Sequence, residues 1–173
     1  MKKILVLLFI LVILGFILIF NTNFEFKTIG FVINRTVETS ENLFFYYEIV
    51  RYPSNVMILE QKKTDKINVG LTGDPWNINF GILSSGMIGE RYINLANYKE
   101  EPFHVRLVSH GNISSMISFS SNDMVLRKGD EVKLTVFLNT SISTSPGNYT
   151  GEIDIITEKS KIPFLGNVLR GMR

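Results

Sequence analysis

From residue 66 onward apolar and polar side chains alternate, and a strict period of two commits a chain to strands that bury one face. Ile67, Val69 and Leu71 open the pattern, and Trp76, Ile78, Phe80 and Ile82 continue it against Asn77, Asn79 and Gly81. In the stretch from Glu131 to Leu138 the inward set is Val132, Leu134, Val136 and Leu138. From Gly151 to Thr157 it is Ile153 and Ile155, which turns Glu152 and Asp154 outward. Two more strands point Ile93 with Leu95, and Phe103, Val105 and Leu107, toward the core. Turn chemistry separates these runs at Gly73-Asp74-Pro75, Ser84-Ser85-Gly86, Lys128-Gly129-Asp130 and Ser145-Pro146-Gly147-Asn148. About seven short strands at this spacing predict an all-β fold, an antiparallel β-sandwich over residues 64–158. Helix-forming stretches are lacking there, which argues against βαβ architectures.

The succession WNINFGILSSG, RYINLANYKEEPFHVRLVSHGNISSMISFS, LRKGDEVKLTVFL and SPGNYTGEIDIIT resembles the Ig-like, fibronectin-III-like sandwich modules of membrane-anchored exported prokaryotic proteins, archaeal ones in particular. It is more distantly similar to the hydin and major-sperm-protein type. The resemblance implies an Ig-like sandwich and carries no functional residue over by position, so function has to be argued from sites.

Ahead of this region, Ile4 to Phe20 contains no charged or polar side chain. As a helix that run covers roughly 25 Å, a little less than the roughly 30 Å of a bilayer core, and Phe24 and Phe26 are placed to seat at the interface. A cleaved signal peptide fits less well, since Asn21, Thr22 and Asn23 follow the run where small residues belong. Residues 1–22 are therefore expected to form one N-terminal transmembrane helix, in contact with membrane lipid through residues 4–20. Lys2 and Lys3 favour a cytoplasmic amino terminus and a single-pass protein of the cell membrane whose C-terminal domain is extracytoplasmic. Four acceptor triplets, at Asn34, Asn112, Asn139 and Asn148, agree with glycosylation on that side.

Residues 23–63 read as a membrane-proximal segment. LFFYYEIVRY and VMILEQ flank Pro53-Ser54-Asn55 as the arms of a hairpin, while a helix starting after Ser40 fits the same residues. Residues 159–173 form a basic amphipathic tail with four cationic and no acidic side chains. It is open to three roles: a frayed end, packing on its own domain, or docking to membrane or partner.

The net charge of +2 conceals an acidic domain, with 7 basic and 11 acidic residues between 64 and 158. Its cations are dispersed, which argues against nucleic acid. The chain has no cysteine, removing disulfides, thiolate metal sites and thiol nucleophiles. His104 and His110 share a strand face but stand six residues apart, about 20 Å, too far to share one metal ion, and they are expected as exposed surface residues. Glu100-Glu101 and Asp130-Glu131 are adjacent pairs whose side chains diverge, read as solvated turns. Trp76 is placed in the core, and Tyr149 is positioned to hydrogen-bond across a sandwich corner.

No catalytic, cofactor-binding or metal site, and no cofactor, is assigned from sequence. The expected function is a non-enzymatic binding or structural module, an accessory subunit of a membrane or surface assembly with an envelope or membrane protein as partner. The rivals are an envelope hydrolase with its site in the sandwich loops or at the His104 face, and an edge-strand chaperone using RYINL or LFFYYEIVRY.

Overall fold

The computed structural model describes residues 9, 10, 12, 32–60 and 76–162. The chain divides into two compact units, Met1–Gly30 and Phe31–Arg173. In the first, Phe9, Ile10 and Val12 are helical with exposed side chains. Among the described residues no helix is long and apolar enough to cross a membrane, and the rest of the expected anchor, the 67–71 strand and most of the basic tail lie outside them.

The second unit is all-β. Its nine described strands are β1 (Thr36–Glu41), β2 (Phe45–Leu59), β3 (Ile78–Ser84), β4 (Ile88–Ala96), β5 (Phe103–Gly111), β6 (Ile117–Phe119), β7 (Met124–Leu126), β8 (Glu131–Asn139) and β9 (Gly147–Ser160). A six-stranded sheet runs β1-β2-β9-β5-β7 with β3 also on β2, and a three-stranded sheet runs β4-β8-β6. All pairs are antiparallel except β2 with β3.

Residues 36–59, expected as a membrane-proximal hairpin, belong to this sandwich. β2 continues through Pro53 without a turn and pairs with β9 from Phe45 opposite Ser160 to Ile58 opposite Gly147. A proline is tolerated because β1 ends opposite Arg51 and β3 begins opposite Ser54, leaving Pro53 in a gap along that edge of β2. The hairpin turn falls earlier, where Asn42 Oδ1 accepts the backbone N–H groups of Phe44 and Phe45 at 2.9 and 2.7 Å.

Two apolar clusters fill the space between the sheets, one around Phe80, Ile58, Val136 and Leu138, the other around Val105, Leu107, Leu126 and Leu134. Each fully buried side chain of this size contributes about 1.5–3 kcal/mol. The expected inward residues Leu134, Val136, Leu138, Ile153 and Ile155 are all buried. Two positions depart from the alternation. Gly81 adopts φ +72° beside a register shift in the β2–β3 ladder, so parity changes there: Leu83 is buried and Ile82 is exposed. Trp76 precedes the strand in a turn and is 58% exposed rather than in the core.

Gly151 marks the closest backbone approach. A Cβ there would stand 2.0 Å from the carbonyl oxygen of His110 and 2.8 Å from Ile113. Neither β5 nor the main chain of β9 can give way by that much, so Gly151→Ala is expected to destabilise the domain by about 3 kcal/mol, the upper end for overpacking. Urea denaturation measures it, as a lower midpoint at unchanged slope.

Candidate functional site

The two sheets differ in width, and the mismatch creates a groove. Three strands cannot cover six, so the inner faces of β1, β2 and β9 near Phe45 and Ser160 extend past the edge strand β4. A cavity of about 720 Å³ lies there. Even-numbered residues of β2, among them Tyr46, Val50 and Tyr52, form its floor, and Ile93, Leu95 and Tyr98 form the wall on the β4 side.

The walls are held by specific bonds. Arg35 Nε donates to Tyr52 Oη at 3.1 Å and its guanidinium lies 5.5 Å from the ring centre. Lys161 Nζ sits 4.4 Å from the ring centre of Tyr46. Asn97 is 1% exposed: its amide donates to the carbonyls of Glu101 and Leu126, both at 3.0 Å, while its Oδ1 accepts from Lys99 N at 2.8 Å. That satisfied amide fixes the loop after β4. Tyr98 Oη donates to Glu131 Oε1 at 3.0 Å, which holds its phenol above the usual range.

Of the two sequence candidates for an exposed edge, RYINL is one: β4 pairs with β8 alone among the described strands. LFFYYEIVRY is not, because β2 lies between β9 and the β1/β3 edge. The first part of β4 is closed off by Arg91, whose Nε donates to Asn79 O of β3 at 2.6 Å and whose guanidinium lies 5.8 Å from the Phe80 ring centre. The remainder, Tyr92 to Ala96, carries no charge.

The outer face of the six-stranded sheet holds a second constellation. Glu152 and Asp154 have the outward parity expected of them but are 0% and 1% exposed, not solvated. Register sets Arg51 opposite Asp154 and His110 opposite Glu152. Arg51, 4% exposed, reaches Glu38 Oε2 at 3.1 Å and Glu152 Oε1 at 3.5 Å. His110 Nε2 stands 3.6 Å from Asp154 Oδ2. Glu152 Oε2 accepts the backbone N–H of Val32 at 3.2 Å. Burial pushes the Asp154 carboxyl up to about 6, the charge of Glu152 adds to this, and Arg51 and His110 oppose it.

His104 and His110 share one face of β5, as expected, yet neither is a freely solvated surface residue: their side chains are 28% and 32% exposed and each meets a carboxylate. His104 Nε2 lies 2.8 Å from Asp123 Oδ1 and stands opposite Glu158 in the ladder. The four candidate glycosylation residues, Asn34, Asn112, Asn139 and Asn148, are all exposed, although Asn112 Oδ1 accepts Thr150 N at 2.6 Å and Asn139 Nδ2 donates to Ser118 Oγ at 2.8 Å. Glu100 and Glu101 form surface ion pairs with Lys128 and Lys159. Tyr149 Oη donates to Ser145 O at 2.9 Å, tying the turn into β9.

Sequence reasoning missed Arg51, Glu38, Glu152 and Asp154 as a group. The available signal was Arg51, a single cation inside the aromatic run of β2, which must find its counter-charge on neighbouring strands. Compared with known proteins, the chain matches no family model, no curated protein and no solved structure.

Glu158 offers a test of the outer-face electrostatics. Burial holds its carboxyl above the ordinary glutamate range, with His104 and Arg106 opposing. The folded state therefore keeps this proton to higher pH than the unfolded chain, and the associated stability is lost as pH rises through the folded value. Urea midpoints measured from pH 3.5 upward are expected to fall for the native protein relative to Glu158→Gln once pH exceeds about 4.5, where an ordinary glutamate ionises.

Proposed function

We propose that this protein is a non-enzymatic binding module: a single-pass membrane protein, anchored through residues 4–20, that presents an Ig-like sandwich outside the cell membrane and captures an extended segment of an envelope or membrane protein along β4. The observation that carries this reading is the outer edge of β4, which no described strand pairs, beside the groove. At nine residues β4 is longer than the other described edge strands, β1, β3, β6 and β7. Proteins ordinarily blunt such an edge with charge or proline, and Tyr92 to Ala96 has neither. An added strand would take main-chain hydrogen bonds from β4 and set alternate side chains into the groove, the division of affinity and specificity that β-augmentation uses.

Two packed sheets and the Tyr149–Ser145 bond support the Ig-like reading. The extra strands β1 and β2 and the parallel β2–β3 pair are additions to that pattern. The apolar run of residues 4–20 and the exposed apolar side chains of Phe9, Ile10 and Val12 support the anchor. In that location the exposed Asn34, Asn112, Asn139 and Asn148 are glycan acceptors. The rival hydrolase would use the face bearing His104.

A photo-crosslinking residue placed at Asn94 or Tyr98 of the full-length protein in its native membrane is expected to capture one partner, with crosslinks at every second residue of an extended stretch. The same residue at Ser143, on an exposed loop, is expected to capture none. Asn94→Lys is expected to abolish capture from position 98, and His104→Ala to leave it intact. Equal labelling from 94 and 143, or loss of capture with His104→Ala, would overturn the reading.

A further inference from the structure

The outer face of the six-stranded sheet carries a feature that the groove reading does not use. The donor atoms of His110, Glu152 and Asp154 lie within 4.8 Å of one another. Both oxygens of Asp154, and Oε1 of Glu152, are buried with no hydrogen-bond partner among the described residues. Buried carboxylate oxygens ordinarily accept two or more hydrogen bonds, and three such oxygens left without one in a single cluster cost free energy that some group must offset. Arg51 meets only part of this need. Its guanidinium is shared between Glu38 and Glu152 Oε1.

We propose that His110, Glu152 and Asp154 bind a divalent transition-metal ion that ties β5 to β9. Counting formal charges, Glu38, Glu152 and Asp154 against Arg51 leave the cluster at −2 when His110 is neutral, the charge a divalent cation cancels. The donor set fixes the class of ion: one imidazole nitrogen with two carboxylate oxygens suits manganese, iron or zinc, whereas an all-oxygen shell would suit calcium or magnesium and a thiolate shell copper(I). With bonds of about 2.0–2.2 Å such an ion holds its ligands about 3.4 Å apart, so the widest of the three separations closes by up to about 1.4 Å, while His110 Nε2 and Asp154 Oδ2 already stand 3.6 Å apart. His110 can supply that movement because its side chain is 32% exposed. The same exposure gives the ion its entry path, and three protein donors leave a coordination position open toward solvent. Glu152 Oε2, held by the Val32 N–H, orients the carboxylate so that Oε1 faces the cluster. His104 lies six residues away on β5 with its own partner, Asp123, and is outside the site.

The experiment titrates Zn²⁺ and Mn²⁺ separately into full-length protein purified in detergent micelles and stripped with chelator. Calorimetry reads the stoichiometry, and thermal unfolding reads the shift in midpoint. One equivalent of at least one ion is expected to bind, with a midpoint that rises with metal concentration and returns on adding chelator. His110→Ala removes a half-exposed side chain and leaves the buried Arg51 pairs intact. It is expected to weaken binding at least about tenfold, the loss that even indirect supporters of a metal ligand produce. Asp154→Asn, which keeps the shape of the buried side chain, is expected to do the same, and His104→Ala to change nothing. Absence of binding by either ion at millimolar concentration would overturn the proposal. So would binding that survives both His110→Ala and Asp154→Asn, or that is lost in His104→Ala.

Discussion

The structure depends on the pairing of β9 with β2 on one side and β5 on the other. β9 is the last described strand in the chain and lies in the interior of the larger sheet. It is buried continuously from Gly151 to Ile156, on both faces. Such a strand contributes apolar side chains to the sandwich with Ile153 and Ile155, and leaves Glu152 and Asp154 no access to water on the opposite side. Because the partners come from opposite ends of the sequence, this ladder forms only when residues near 50 find residues near 155. Closing a loop over that separation costs chain entropy, and the ladder fixes the positions of the groove floor and the buried charges together.

Much of the fold was legible from periodicity. The strands around Leu134 and Ile153, the inward set Phe103, Val105 and Leu107, and the turns at Ser84-Ser85-Gly86 and Lys128-Gly129-Asp130 follow from alternation and turn chemistry alone. Three features did not, each for its own reason. Pro53 signals a break, and only the gap between β1 and β3 makes it harmless. Gly81 adds a residue that flips parity, moving Ile82 outward. Asp154 has the parity of a solvated residue yet is buried, and its neighbours across the ladders, Arg51 on β2 and Val108 on β5, come from strands far away in sequence, which no local pattern encodes.

The same separation between local and global information explains the two candidate sites. Period two tells which residues share a face but not what lies over it. Tyr46, Val50 and Tyr52 would be ordinary core residues if the smaller sheet matched the larger one in width. They line a groove because β4 ends the smaller sheet short of them. The histidines follow the same rule. Spacing along β5 gave their common face and their separation, while the carboxylates that meet them come from β9 and from the loop before β7.

The buried charges also bear on why this sheet has one register. β2 and β9 are apolar on both faces for much of their length, as Ile49, Val50, Ile155 and Ile156 show, so hydrophobic patterning alone discriminates weakly between alignments. Slipping either strand by one residue would turn its side chains to the other face. Arg51 would then enter the cluster around Val105 and Leu107, or Glu152 and Asp154 would enter it without Arg51. An unpaired ion buried there costs several kcal/mol, more than the modest net value of a buried ion pair in the correct register. The charges thus act chiefly against the wrong alignments. That role requires only that Arg51, Glu152 and Asp154 share the outer face, and it leaves the orphaned oxygens of Asp154 and the half-exposed ring of His110 free to serve a bound ion.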